Sequence, residues 1–560
     1  MALIIKAFPY VLFVFVTFAV LNPNPFGNNP DIIFDESYFL TSALSAIKDG
    51  LPPGLDFPAS GSYYGGIQAY IDTAAMMVVS GAVFAREHFS FVATKLWVAL
   101  NTGELLHILR LVNGIVALTT LAFCYLLFKK RKIPPALALT LMLFLLLLLG
   151  NSVLVGFLHT AKMWVFYILI VAVMSALFIA NEFYLSKLNQ PLLSRRTYAA
   201  LFIWSSVLIF FQSYVGVFSI FLLLLYALLL KHLNVRDVWV QAKKYWYFIV
   251  LFALTQLSFL YQAYTIYSSF SNVSIKTAQG AIDWFARLYN PLVFTVESQP
   301  LVMLYVLGAL VLIFFAFYNK VFFADSRKRT YIAIALAHPI LVYVIFHVIL
   351  GFSLDARYAI LLTIACSFSA AILMGEIGNT AVVTALTLSG ILFVIVNVHA
   401  IALYWHPSSE KILLETITEK YNSPSNVFLV DHSARRLTLP VNEQSLLLLN
   451  EKRQDMARFQ FILQHKDQVH VSDTFKPLTA IAYADVELAD YTARFNDNSH
   501  SVWVVSRDCA RRCTNKETQA STCFEINVNA CGVIPQEPNT LPKFLRATQL
   551  GYSYIVRKVH

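Results

Sequence analysis

Two acids stand side by side near the start of the chain, Asp35-Glu36. Adjacent carboxylates can hold a cation, take a proton from a reacting hydroxyl, or do both. The stretch before them, Asn22-Pro-Asn-Pro-Phe-Gly-Asn-Asn-Pro30, cannot be helical, and an amphipathic stretch, Phe39 to Lys48, follows. Asp35 therefore falls where a helix should begin, a favourable place for a carboxylate beside free backbone N–H groups. A helix N-cap with a solvated neighbour would use the same residues. Asp31 lies directly after Pro30, where it shapes the loop.

Four further motifs carry chemistry. Ser60-Gly-Ser-Tyr-Tyr-Gly-Gly66 combines glycines that permit close backbone approach with Tyr63 and Tyr64, whose rings can stack on a sugar; an ordinary turn reads the same way. His159-Thr160-Ala-Lys162 sits in a turn between two apolar runs, able to meet a phosphate or to snorkel to water. Asp355-Ala-Arg357-Tyr358 opens a late apolar run, and Arg can fork onto a phosphate in a way Lys cannot. Arg110 lies inside an apolar run, where a cation is costly and functional by default.

The elements that must position these residues are membrane helices. The 560 residues are 58% hydrophobic and 13% charged, with mean hydropathy +0.63. Soluble chains run about 45–50% apolar and about 25% charged. That excludes a single soluble domain, a disordered chain and a scaffold held by disulfides alone. Apolar runs cover 4–21, 105–128, 133–150, 161–181, 198–212, 214–231, 246–266, 301–318, 331–350, 358–374 and 380–404, which predicts eleven spans. Residues 198–231 are split at Gln212-Ser213-Tyr214, because about 34 residues would reach roughly 51 Å as one helix. Asn22-Pro follows the first run, and no small-residue cleavage site does, so that run reads as a retained helix. Residues 66–84 are also apolar but contain Asp72; they read as part of a set of surface helices over 65–103, or as a short hairpin.

With the N-terminus inside, the short inner loops carry sixteen basic residues: Lys6, Lys129, Lys130, Arg131, Lys132, Lys187, Arg195, Arg196, Lys231, Arg236, Lys243, Lys244, Lys320, Arg327, Lys328 and Arg329. The longer outer loops carry seven, namely Lys48, Arg86, Lys95, Lys162, Lys276, Arg287 and Arg357. The positive-inside rule then puts residues 406–560 outside. The net charge of +10 is spent on these flanks, so nucleic acid is not an expected partner. Acids, tyrosines, His159, Lys162, Arg110 and Arg357 all fall near the outer surface.

The outer domain reads α/β, with a helix over 409–421 and strands at Val427–Val430, Val502–Ser506 and Tyr552–Val556. It shows no glycine-rich nucleotide loop and no catalytic triad signature. Asp431-His432 follows a strand and reads as a turn pair. Cys509, Cys513, Cys523 and Cys531 crowd together there; in an oxidising compartment they read as two disulfides, of three open connectivities, rather than as a zinc site. Cys124 and Cys366 read as inert core residues.

The chain resembles the GT-C superfamily of integral membrane glycosyltransferases. The resemblance is to the branch of protein O-mannosyltransferases and lipid A aminoarabinose transferases (glycosyltransferase family 39-like), and it covers most of residues 1–405. It rests on Asp35-Glu36 in the first outer loop, Arg110 within Leu106-His-Ile-Leu-Arg-Leu-Val-Asn-Gly114, the basic turn Lys129 to Lys132, the break at Gln212-Ser-Tyr-Val-Gly216, and Arg357-Tyr358. The chain departs from the pattern twice: the Lys-Gly common at that break lacks its Lys here, and Ser62-Tyr-Tyr-Gly-Gly66 stands where many relatives carry Lys-Pro-Pro.

The resemblance implies a catalytic domain over 1–405, with its first outer loop and surface helices at 22–103, and an extracytoplasmic domain over 406–560. It implies transfer from a polyprenyl-phosphate-linked sugar donor to a glycan, lipid or protein acceptor, with inversion, at a bacterial inner (plasma) membrane. Asp35 would be the base and Glu36 its partner. Arg110, His159, Lys162 and Arg357 would meet the lipid phosphate, and Tyr63, Tyr64, Asp355 and Tyr358 would line the substrate. The resemblance fixes no cofactor, and a divalent metal stays open. The competing classes are a transporter or flippase of a lipid-linked or polar substrate, and a sensor or scaffold.

Overall fold

The computed structural model describes residues 36–49, 66–130, 134–149, 164–212, 216–257, 301–318, 325–349, 356–377 and 409–430, with short stretches between 460 and 506, 523–526 and 554–558. The chain is predominantly helical, beginning with α1 (Glu36–Asp49), α2 (Gly66–Arg86), α3 (Phe91–Leu100), α4 (Thr102–Lys130) and α5 (Pro135–Leu149). There follow α6 (Trp164–Leu188), α7 (Arg195–Gln212), α8 (Val217–Leu229), α9 (Val235–Thr255), α10 (Leu301–Tyr318) and α11 (Ser326–Tyr343). A π-helical stretch, Val344–Ile349, continues α11 and leads to α12 (Ala356–Ile377) and α13 (Ser409–Lys420).

Among the described residues, four helical segments are long and apolar enough to cross a membrane: Gly66–Arg86, Glu104–Leu127, Val165–Glu182 and Ser326–Ile349. The first coincides with the stretch expected to lie along the surface. Its length and composition suit a crossing as well.

Local sequence sets the helix ends. Ser90 accepts from the Ala93 N–H at 3.2 Å and starts α3. Asn234 accepts from the Asp237 N–H at 2.7 Å and starts α9. Asp325 accepts from the Arg327 N–H at 2.9 Å and starts α11. Pro135 opens α5 in the turn where an N–H would have no acceptor. The corner between α2 and α3 puts His88 and Phe89 at φ 52 and 63.

The core is built around α12, which packs against α5, α6, α10 and α11. Residues 360–374 of α12 are all buried, as a helix surrounded by other helices requires. Its small residues Ala365, Ser367, Ser369, Ala370 and Ala371 let neighbours approach closely. A smaller cluster joins α1, α2 and α4 through Leu40, Ala43, Met76, Leu105, Leu106 and Leu109.

α9 lies at the edge and packs on α7, with Phe211 and Phe252 rings 5.4 Å apart. Its other face exposes Trp239, Trp246, Tyr247 and Phe248, and Lys243 and Lys244 sit over the rings of Trp239 and Tyr245. The expected span began at residue 246. The helix begins at Val235, so its first turns are amphipathic, with aromatic and basic residues on one surface.

Pro339 lies inside α11 and cannot donate to the Ala335 carbonyl one turn earlier. The Tyr305 hydroxyl of α10 donates to the Leu336 carbonyl and, at 3.5 Å, to that of Ala335. A neighbouring helix thus supplies a donor where the proline removed one, the usual way a proline is accommodated in an apolar bundle.

The C-terminal residues form a five-stranded sheet of β1 (Asn426–Val430), β2 (Leu478–Ile481), β3 (Ser501–Ser506), β4 (Cys523–Ile526) and β5 (Tyr554–Lys558), in the order β2-β1-β3-β5-β4. β2, β1 and β3 are parallel; β5 runs antiparallel to β3 and to β4. β1 and β3 are the most buried, with Val427, Leu429, Val502 and Val504 in one cluster. Lys95 of α3 reaches this part of the chain, its Nζ 4.3 Å from the Phe461 ring centre.

Candidate functional site

A cluster of polar side chains is buried where α2, α4 and α7 meet. Gln68, Asp72, Asn113 and Gln212 are each 0% exposed. Gln68 lies in the first turn of α2, where backbone N–H groups have no partner within the helix. Its N–H donates to Gln212 Oε1 at 3.2 Å, across 144 residues of sequence. Its side-chain Nε2 donates to Asp72 Oδ1 at 2.6 Å, one turn on, and to Asn113 Oδ1 at 3.0 Å. Nε2 thus stands between two acceptor oxygens, which fixes the orientation of the Gln68 amide. Among the described residues, Asp72 Oδ2 and Gln68 Oε1 are buried without a hydrogen-bond partner.

Arg110 is 4% exposed and lies one turn before Asn113 on α4. His107 lies one turn before Arg110, so the three form a polar stripe along one face of the helix. Leu106 and Leu109, beside that stripe, pack against Leu40 and Ala43 of α1. Phe39, in the first turn of α1, enters the main core. The helix head that follows Asp35 is therefore anchored on two sides, by Phe39 and by Leu40.

No protein-family model, curated protein or solved structure matches this chain.

Packing directions place several elements at one end of the bundle. Gln212 ends α7 at the expected break, and Val217 opens α8 three residues after the expected start at 214. Gly216 between them lies against Tyr167, and a Cβ added there would come within 2.4 Å of that ring. Phe218 at the head of α8 meets Phe346 of the π-helical stretch, with ring centres 6.4 Å apart. His338 of α11 packs on Phe368 of α12 at 4.9 Å. The chain turns back between these helices, so the first turn of α12, with Arg357, is level with the π-helical stretch that holds buried His347. Gln212, the head of α8, His347 and the head of α12 thus share one end.

The opposite end holds a second buried cluster. His232 Nδ1 bonds to Glu182 Oε1, and Arg327 Nη2 lies 3.3 Å from His232 Nε2. Arginine only donates, so Nε2 accepts and Nδ1 carries the proton given to Glu182. Arg327 Nε also donates to the Tyr331 hydroxyl at 3.1 Å, and Asn181 accepts from the Leu193 N–H at 3.2 Å. Between the two ends, the Tyr226 hydroxyl meets His338 Nδ1 at 3.2 Å.

Of the residues expected at the site, Arg110 is buried at the first cluster. Glu36 is the first residue of α1, and Arg357 and Tyr358 are in the first turn of α12; their side chains lie outside the described part. Asp35, Tyr63, Tyr64, His159, Lys162 and Asp355 lie outside the described residues, as do Asp431, Cys509, Cys513 and Cys531. Cys523 is in β4, paired with Arg557 of β5. Cys124 and Cys366 are free. Among the described residues no group of three His, Cys, Asp or Glu could hold a metal; the Asp35-Glu36 pair falls outside that set. Sequence reasoning missed Gln68, Asn113 and His347 and left Asp72 unassigned. The spacing His107, Arg110, Asn113 on an apolar helix was the signal that could have found Asn113.

Proposed function

We propose that the chain is a membrane glycosyltransferase that moves a sugar from a polyprenyl-phosphate-linked donor to an acceptor hydroxyl on the extracytoplasmic face. The observation that carries this reading is a buried polar cluster with unpartnered acceptors, adjoined by the anchored helix head that follows Asp35-Glu36. An arginine-bearing helix head, that of α12, lies at the same end. In the proposed reaction the acceptor oxygen bonds to the anomeric carbon with inversion as the bond from that carbon to the phosphate oxygen breaks. The electron pair leaves on the lipid phosphate, and the hydroxyl proton passes to Asp35, positioned with Glu36. Arg357, with Arg110 or Lys162 and His159, stabilises the anionic leaving group. Tyr63, Tyr64, Asp355 and Tyr358 line the substrate.

The reading includes eleven spans, an N-terminus in the cytoplasm and an outer domain over 406–560. The Lys95–Phe461 contact supports the last of these, since α3 leads directly into the head of α4, near Arg110. Mass spectrometry of glycolipids from a knockout, from the wild type and from cells carrying Asp35→Asn tests the activity. A sugar modification should disappear in the knockout and stay absent with Asp35→Asn. Its full return with the variant would sink the reading.

Transport is the second reading. Buried Asp72, Arg110, Glu182 and His338 within apolar helices favour it, because such residues also mark ion paths. Proteoliposomes that move lipid-linked sugar across the bilayer without changing it chemically would select it.

A further inference from the structure

We infer that the exposed face of residues 235–247 of α9 binds the headgroups of anionic phospholipids at the membrane surface, a role independent of the glycosyltransferase reading. Arg236, Trp239, Val240, Lys243 and Tyr247 recur at helical spacing, and all five are exposed. Lys244 lies beside them and is exposed too. Lys243 Nζ is 5.2 Å from the Trp239 ring centre, and Lys244 Nζ is 5.4 Å from that of Tyr245. Such contacts hold an ammonium group against the helix without neutralising it. Among the described residues neither lysine pairs with a carboxylate. Asp237 is the one acid in residues 231–254, and its Oδ2 is buried. Further cations share this end. α7 runs beside α9 in the same direction: Trp204 meets Tyr245 with ring centres 6.0 Å apart, and Phe211 meets Phe252 at 5.4 Å, the same offset in both pairs. That offset sets Arg195 and Arg196, exposed in the first turn of α7, level with the head of α9. Lys231, in the bend before α9, is exposed as well.

A lipid fits this surface better than an acidic protein segment or a soluble anion does, because the surface changes character along the helix. Beyond Tyr247, the exposed residues through Leu254 are Phe248, Val250, Leu251 and Leu254, with no charge among them. A phosphate held at Lys243 and Lys244 therefore has apolar surface directly beneath it, where the acyl chains of the same molecule would lie. Trp and Tyr, placed where the character changes, are the side chains that settle at headgroup level. α10 supplies the contrast. Its exposed residues Val306, Leu307, Leu310, Val311 and Phe314 are apolar, the ordinary face toward hydrocarbon. An orientation signal needs only positive charge in a loop. In α9 the cations stand on a helix face, fixed over rings and in register with apolar side chains.

The test places the full-length chain in bilayers of phosphatidylcholine and phosphatidylglycerol, with one lipid at a time in brominated form, which quenches the tryptophans it touches. The signal of Trp239 and Trp246 is isolated by difference from the Trp239→Phe/Trp246→Phe variant. Each basic residue near an anionic surface is worth about a fivefold gain in affinity, so phosphatidylglycerol should be preferred at these rings by at least about tenfold. High salt should weaken that preference. Lys243→Gln/Lys244→Gln should lose most of it, whereas Lys243→Arg/Lys244→Arg should keep it. Equal quenching by the two lipids in the wild type overturns the proposal, and so does a preference unchanged in the glutamine variant. In detergent, thermal stabilisation by inorganic phosphate or by a polyglutamate peptide that exceeds stabilisation by phosphatidylglycerol also overturns it and assigns the cations to a soluble partner.

Discussion

The two ends of the helical bundle surround a buried carboxylate with different partners, amides at one and a histidine–arginine chain at the other. At one end Arg327 of α11 gives to His232, in the bend after α8, and His232 gives to Glu182 of α6, whose other oxygen has no hydrogen-bond partner among the described residues. At the α2–α4–α7 end, a carboxylate faces an amide, and two acceptors have no donor among the described residues. The first cluster acts as a clasp, a use of polar burial that fixes which helices meet. The second holds its carboxylate with amides and no cation among the printed contacts. In a membrane bundle, where packing alone discriminates weakly between partners, one network can hold the fold while the other is left free to serve function.

Substitutions should separate the two ends. The largest effect is expected for Asp35→Asn, which keeps side-chain shape and removes the proposed base. The proposed glycosyl transfer should fall by about 10²–10⁴-fold while the melting temperature in detergent stays put. Arg357→Lys keeps charge and loses the fork, so it should weaken donor binding more than Asp35→Asn does. If both variants instead unfold the chain, the functional end is part of the clasp and the contrast collapses.

Glu182→Ala should do the reverse. It removes the acceptor of the Nδ1 proton of buried His232, and a buried donor left without a partner costs about 1–3 kcal/mol. The expected readout is a large drop in melting temperature with turnover per folded molecule unchanged. A normal melting temperature would show that the Glu182–His232–Arg327 chain is not what joins α6, α8 and α11.

These two ends were unequally legible in the sequence. The helix break at Gln212 was readable, since one helix over 198–231 would have been too long, and α7 and α8 part there. The helix at Ser409–Lys420 and strands β1, β3 and β5 followed from periodicity. β2 and β4, four residues each, did not, because a short strand is defined by its neighbours in the sheet rather than by its own pattern. The beginning of α9 was missed because basic and polar residues interrupt the apolar run that marks a span. The polar cluster was out of reach for a different reason: Gln68 finds Asn113 and Gln212 across 45 and 144 residues, and no local spacing encodes that. Arg327 was counted as a charge of an inner loop, and Glu182 and His232 were not singled out. The orientation rule sees their charge and not their pairing.

Gly216 connects the two ends through α8. A Cβ there would lie 2.4 and 2.5 Å from atoms of the Tyr167 ring and 2.6 Å from Ile209 Cδ1. Gly216→Ala should therefore cost about 1–3 kcal/mol by overpacking. Tyr167→Leu, combined with it, should recover part of the loss in a thermal melt. No recovery would place the strain in the backbone at Gly216 instead of in the ring contact.

The smallest effect concerns the repair at Pro339, midway between the ends. Tyr305→Phe removes the hydroxyl that serves the Leu336 and Ala335 carbonyls, and one such bond is worth about 1 kcal/mol. The size alone says little, since many buried tyrosines would give it. The informative quantity is the coupling to Pro339→Ala. Restoring an N–H at position 339 lets the helix satisfy the Ala335 carbonyl itself, so the tyrosine hydroxyl loses part of its purpose. Tyr305→Phe should then cost less in the Pro339→Ala background than in the wild type, and a double-mutant cycle of melting curves reads the difference directly. Equal costs in both backgrounds would mean that Tyr305 supports α11 by ring packing alone. The proline would then be accommodated by the π-helical turn at Val344–Ile349, which would make that turn, and His347 on it, part of the structural scaffold rather than of the functional end.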